Sequence, residues 1–308
     1  MGSPRFAVPS LQALVAAGYD VAAVVTQPDR PAGRGGKLTR PEVKVAALEL
    51  GIPVLQPETM KDPATVVALA AIRPELLVVA AYGKILPRAV LALPAKGSVN
   101  VHASLLPRWR GASPITAAIL AGDAETGVCI MEMAPKMDAG PVIACARTEI
   151  GPAETAGELE ARLAALGAEK LVETLPGWLD GRLRAVEQDE SAVTYCSLVT
   201  KMDGYLRASM TAAEAARAVR AYNPWPGASV EYRRERLAIW RATVADDAAD
   251  AADAAPGCLV RVGRNPAIVL LSGLLVLEEV QRSGGKRLSG EQFVNGERGN
   301  LAAEAGLA

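Results

Sequence analysis

The only histidine of the 308-residue chain, His102, follows Asn100 by two positions in the run Ser98-Val99-Asn100-Val101-His102-Ala103-Ser104-Leu105-Leu106-Pro107. The first part reads as a strand that enters a Pro/Gly loop. Alternation along a strand puts Asn100 and His102 on one face near its C-terminal end, where open α/β sheets bind ligands. A carboxamide there can donate N–H groups to an oxygen gaining negative charge, and an imidazole can take or give a proton at neutral pH. That pair suits acyl transfer. Asp138, in Lys136-Met137-Asp138-Ala139-Gly140-Pro141, lies between two further strand-like runs. It could reach the same edge, where a carboxylate would orient the imidazole. Each residue alone also has a plainer reading, His102 as a structural residue and Asp138 as a turn-former before Gly.

The elements that must position these residues alternate through the first half of the chain. Val21 to Thr26, Leu76 to Ala81 and Ser98 to Val101 read as strands, with Val128 to Met133 and Pro141 to Thr148 after them. Leu11 to Ala17, Val43 to Leu50, Ala64 to Ala71 and Pro114 to Leu120 carry helical spacing. That order predicts a doubly wound α/β unit with a parallel sheet. A long amphipathic helix is expected from Thr155 to Thr174, ended by Pro176-Gly177. A polar connector follows, then a helix from Ala212 to Arg220 and short strand-like runs at spacings suited to a small β-barrel. The expected division is 1–177, a linker over 178–200, and 201–308.

With 50% hydrophobic residues, 22% charged residues and a net charge of −1, the chain is neither disordered nor a bulk polycation. Any nucleic-acid contact must be a local patch. One such patch is the segment from Asp29 to Lys44, where Arg30, Arg34, Lys37, Arg40 and Lys44 outnumber Asp29 and Glu42 in a Gly/Pro-rich loop after a predicted strand. The acidic run from Asp246 to Asp253 reads as a solvated loop. A single histidine excludes a multi-histidine metal site. Cys129, Cys145, Cys196 and Cys258 are widely separated without a CxxC pair, which predicts a reduced chain holding no metal. No apolar run is long enough to span a membrane and the N-terminus has no secretory pattern, so a cytoplasmic protein is expected.

Asn100 to Pro107, followed by Gly111 and Asp138, resembles the signature of formyltransferases that use 10-formyltetrahydrofolate. The segment Thr26 to Lys37 resembles the loop by which the methionyl-tRNA formyltransferase family enters the acceptor arm of initiator tRNA. Ala81 to Pro87, Gly122 to Gly127 and Arg220 to Ala228 are similar to family segments in the same order. The resemblance implies a Rossmann-like sheet, a C-terminal OB-like β-barrel that helps hold tRNA, and formyl transfer from the folate to the α-amine of methionyl initiator tRNA. It implies Asn100 as oxyanion donor, His102 as proton relay and Asp138 as its partner. Ser104, Leu105, Leu106, Pro107, Tyr82 and Gly83 would form the folate pocket, and Arg30, Arg34, Lys37 and Arg40 would contact tRNA. A monomer is the default expectation. Two departures stand out. The apolar first strand that precedes Gly2-Ser3-Pro4 in the family is missing, so an upstream start is expected, with Met1 an internal methionine. Lys201 to Ser209 also lacks the family's Ile-Asp-Trp. The missing strand leaves an inactive tRNA- or folate-binding protein as one alternative, beside another folate-dependent formyltransferase or a hydrolase.

Overall fold

The computed structural model describes residues 1–32, 36–245, 254–297, 301 and 305–306. The chain divides into two compact units. The first comprises Met1–Pro114, Glu125–Glu149 and Glu160–Ser197, and the second Ile115–Ala124, Ile150–Leu159 and Leu198–Ala308. The first half of the chain runs α1 (Val8–Ala16), β1 (Val24–Val25), β2 (Arg30–Ala32), β3 (Lys37–Thr39), α2 (Glu42–Glu49), β4 (Val54–Leu55), α3 (Pro63–Ile72), β5 (Leu77–Val79) and α4 (Arg88–Leu91). It continues through β6 (Ser98–His102), β7 (Arg110–Gly111), α5 (Pro114–Ala121), β8 (Glu125–Glu132), β9 (Val142–Glu149), α6 (Ala156–Leu179) and β10 (Tyr195–Cys196).

β1 pairs with β4 and β5 with β6, both in parallel, while β8 and β9 complete the sheet as antiparallel strands beyond β6. Residues 1–3 lie between β1 and β5. Gly2 bridges Ala80 in parallel and donates its N–H to the Val25 carbonyl at 3.0 Å, and the Ala80 N–H donates to the Met1 carbonyl at 2.9 Å. A Cβ on Gly2 would stand 2.6 Å from that of Ala7 and 2.7 Å from the Ala80 carbonyl oxygen, so this approach needs glycine. A cleft of about 410 Å³ adjoins these residues, with Val24, Leu69, Leu77 and Leu175 in its lining.

β6 is buried along its whole length. Its Val101 faces α6, because a Cβ on Gly167 would lie 2.8 Å from Val101 Cγ1. Asn100 and His102 therefore occupy the opposite face. α6 also overturns one expectation, since it continues through Pro176 to Leu179. Leu171 and Leu175 are buried side by side along it, and the Thr174 hydroxyl donates to the Lys170 carbonyl at 2.6 Å just before the proline. Packing on that face outweighs the one backbone donor that proline removes.

In the second unit Thr211 and Glu214 form a capping box at the start of α7 (Ala212–Ala221). The strands β11 (Ala228–Tyr232), β12 (Glu235–Ala245), β13 (Leu259–Val262), β14 (Asn265–Val269), β15 (Leu274–Arg282), β16 (Arg287–Ser289) and β17 (Ala305–Gly306) make one antiparallel sheet, with α8 (Gly290–Gly296) before the last. The strand order is β13-β14-β15-β12-β11-β17, with β16 on β15. Its core joins Val230, Leu237, Ile239, Ile268 and Leu277 to Ala215 and Ala218 of α7. Among the described residues β13 and β17, the two ends of this order, are not paired with each other, so this OB-like sheet is open. The acidic run from Asp246 to Asp253 lies outside the described residues.

The Met1 amine donates to the Val78 carbonyl at 2.6 Å, and burial lowers its pKa from 8.0 to about 5. Between those values the unfolded chain binds the proton and the folded chain does not, so stability must rise with pH across that window. We expect urea unfolding of the chain beginning at Met1 to show a gain of up to about 1.4 kcal/mol per pH unit between pH 5 and 8. Acetylating the amine should remove that slope; an unchanged slope would place the titration elsewhere.

Candidate active site

His102 ends β6, and its Nε2 lies 3.0 Å from the carbonyl oxygen of Trp109. A carbonyl only accepts, so Nε2 carries the hydrogen and Nδ1 is left as the basic nitrogen of the neutral ring. Nδ1 stands 3.8 Å from Asp138 Oδ2. That oxygen accepts from the Gly111 N–H at 2.9 Å. Asn100, on the same strand face, is 9% exposed.

The backbone around this cluster is held in sparsely populated conformations. Ala81, Trp109 and Asp138 have φ of +46°, +60° and +48°, left-handed values that cost energy in residues other than glycine. Such residues persist where surrounding contacts over-determine them, and they gather at functional sites. All three lie in loops of the first unit that flank the Asn100–His102 pair. The loops after β1 and β5 meet at the C-terminal edge of the parallel strands. Gln27 Nε2 donates to the Tyr82 carbonyl at 3.1 Å, and the Ser3 hydroxyl donates to the same oxygen at 3.3 Å.

The expected folate residues divide by role. Leu105 packs against β8, because a Cβ on Gly127 would lie 2.6 Å from Leu105 Cδ2, while Leu106 and Pro107 are half-buried. Ser104 is sealed, and its hydroxyl donates to the Arg108 carbonyl at 2.6 Å, which closes the turn. Tyr82 is a core residue whose hydroxyl donates to Met60 Sδ at 3.1 Å, and burial pushes its pKa up to about 12. Its backbone, with exposed Gly83, is the part that borders the edge.

Of the expected tRNA contacts, Arg30 begins the β2–β3 hairpin and pairs with Glu58 at 3.2 Å on the surface. Arg40 is exposed, Lys37 starts β3, and Arg34 lies outside the described residues. Lys44, which contributes to the loop's formal charge, is an internal strut. Its Nζ donates to both Asp29 oxygens at 2.8 Å and to Gln56 Oε1 at 2.6 Å. Those bonds hold the Asp29 carboxyl below the usual carboxylate range.

The expectation of a fully reduced chain fails at Cys129 and Cys145, which form a disulfide. They sit opposite each other on β8 and β9, and Cys129 in turn faces His102 across β6 and β8. Cysteine spacing could not reveal this pair, because it depends on strand register. Also unforeseen are Trp109, Arg110 and Gln188, which contact the cluster or its supports. Arg110 lies within the motif, whereas Gln188 gave no signal in a stretch read as connector.

The chain matches the family model "Formyl transferase" over residues 1–175 and "Formyl transferase, C-terminal domain" over 198–298. It is 48% identical to the methionyl-tRNA formyltransferase of Methylococcus capsulatus over 294 residues, covering 96% of this chain and 94% of that protein. The Roseiflexus sp. enzyme of the same name is also 48% identical, with 97% and 91% covered. The chain therefore belongs to the methionyl-tRNA formyltransferase family. In fold it is similar to an N-formyltransferase from Helicobacter canadensis, solved with folinic acid and dTDP-3-aminofucose, at a TM-score of 0.64 and 15% identity, with 91% of this chain and 97% of that one covered.

The disulfide makes a direct prediction. Alkylation of the denatured, unreduced protein should label the two thiols of Cys196 and Cys258, and reduction should release those of Cys129 and Cys145. Four labelled thiols before reduction would refute the pairing.

Proposed function

We propose that this chain transfers the formyl group of 10-formyltetrahydrofolate to the α-amine of methionyl initiator tRNA, for translation initiation. The observation that carries the chemistry is the Asn100 carboxamide on the same strand face as an imidazole whose basic nitrogen lies 3.8 Å from Asp138. This donor set fits a formyl group, which needs N–H donors for its oxygen and a proton acceptor for the incoming amine. 10-Formyltetrahydrofolate supplies the formyl group when bound. Leu105, Leu106, Pro107 and the Tyr82–Gly83 backbone would hold its flat ring system.

An α-amine is partly neutral at physiological pH, so direct attack needs no covalent enzyme nucleophile. Asn100 donates to the formyl oxygen as negative charge develops there. His102 Nδ1 takes the proton from the amine, and Asp138 stabilises the imidazolium that forms. The same proton is then available to the departing nitrogen. Trp109, through its carbonyl, keeps the ring in the tautomer this sequence requires.

Arg30, Arg34, Lys37 and Arg40 would meet the acceptor arm, and this loop favours tRNA over a small acceptor or water. The functional division we infer is a catalytic part over 1–177, a linker over 178–200 whose residues 186–196 are tied to the catalytic part, and a tRNA-holding part over 201–308. We place the protein in the cytoplasm as a monomer.

The deciding assay is formylation of methionyl initiator tRNA with 10-formyltetrahydrofolate. Asn100→Ala should lower kcat by about 10²-fold or more. Arg34→Ala should sharply weaken use of tRNA while leaving folate affinity within about twofold, since a phosphate contact acts only on the acceptor. Formate release without tRNA formylation would indicate a hydrolase, and neither product would indicate a binding protein.

A further inference from the structure

Residues 109–111 hold both ionisable members of the site. The Trp109 carbonyl accepts from His102, and the Gly111 N–H donates to Asp138. Between them Arg110 turns a fully buried side chain the other way. Burying a guanidinium is costly unless it is paired and hydrogen-bonded. Its Nη2 donates to Glu190 Oε1 at 2.8 Å, and its Nε donates to Gln188 Oε1 at 3.0 Å. The pairing holds the Glu190 carboxyl below its ordinary range.

Gln188 spends its other end on the turn that carries Asp138. Its Nε2 donates to the Asp138 carbonyl at 2.8 Å and to the Gly140 carbonyl at 2.7 Å. The turn also rests on β8, where a Cβ on Gly140 would collide with the Glu132 carbonyl oxygen. Left-handed Asp138 is thus clamped between a strand and an amide. The contacts close a ring through Arg110, Gln188, Asp138 and Gly111, and His102 joins it through Trp109.

The segment supplying Gln188 is itself fixed at both ends. Val186 and Val142 exchange backbone hydrogen bonds of 2.8 Å, and β10 pairs in parallel with β7. Thr194 accepts from Arg110 through its carbonyl and from Trp109 through its hydroxyl, both at 2.9 Å. A loose connector would make none of these contacts.

We infer that Gln188, braced by buried Arg110, is a positioning residue that sets Asp138 in place beside His102, so that residues 186–196 are a strut of the catalytic centre. The inference rests on the reading of His102 and Asp138 given under Proposed function. Gln188→Leu keeps the bulk of the side chain and removes both donors and the acceptor. Gln188→Asn keeps the amide but shortens its reach.

The test compares both variants with the full-length protein in steady-state formylation, in thermal unfolding, and by NMR of the imidazole. His102 is the only histidine, so its ring signals need no assignment. The expected result is a fall in kcat of about 10- to 100-fold, with KM for both substrates within about twofold and cooperative unfolding retained. The His102 signals should move in both variants. A kcat within twofold of the parent would overturn the inference. So would a loss of activity that tracks loss of cooperative unfolding in both variants, which would mark Gln188 as structural only. If the parent protein forms no formyl-methionyl-tRNA, the functional reading fails on its own. The imidazole signals then decide the inference: displaced in a folded variant they support it, and unmoved they overturn it.

Discussion

A strand buried on both faces must find partners for whatever it places on each, and β6 places apolar groups on one side and polar groups on the other. Val101 meets α6 at Gly167, which fixes the strand's rotation. With the rotation fixed, Asn100 and His102 must enter the opposite interior, where a polar side chain is tolerated only with compensation. His102 obtains it from a backbone carbonyl and a nearby carboxylate. Asn100 shares that face with it. The loops that follow β6 are arranged around this demand.

Charge is handled by the same economy of contacts. Lys44 is turned inward onto Asp29 and Gln56, which ties the root of the basic hairpin to the loop after β1. Gln27 and Ser3 extend the network to Tyr82, so the edge of the sheet is joined across the slot where only Met1 to Ser3 stand between β1 and β5. The sheet is interrupted along its length and continuous at the edge that carries the chemistry.

Much of this was legible in the residues. Alternation along Ser98 to His102 placed the amide and imidazole together, and apolar periodicity gave β1, β5, β6, β8 and β9 with α1, α2, α3 and α5, but not β2, β3, β4, α4 or β7. What escaped was set by contacts between distant segments. Pro176 reads locally as a helix stop, yet buried Leu171 and Leu175 carry α6 past it. The Cys129–Cys145 bond requires the register of β8 on β9. Tyr82 has a side chain suited to ligand binding, but its ring is spent on the core. Gln188 stands in a polar stretch whose composition resembles any solvated loop, and only its partners distinguish it.

The site is gathered from short pieces spread from Ser3 to Cys196, and the pieces of the two compact units interleave along the chain. A ribosome delivers these pieces in order, at roughly 5–20 residues per second. Asn100, His102 and Asp138 therefore leave it well before Gln188 and the strand that pairs with β7. The nascent protein carries its reactive groups for some seconds before the contacts that align them exist. Completion of the catalytic centre thus trails synthesis of the motif, and a chain cut short between Asp138 and Gln188 would display the motif without the geometry.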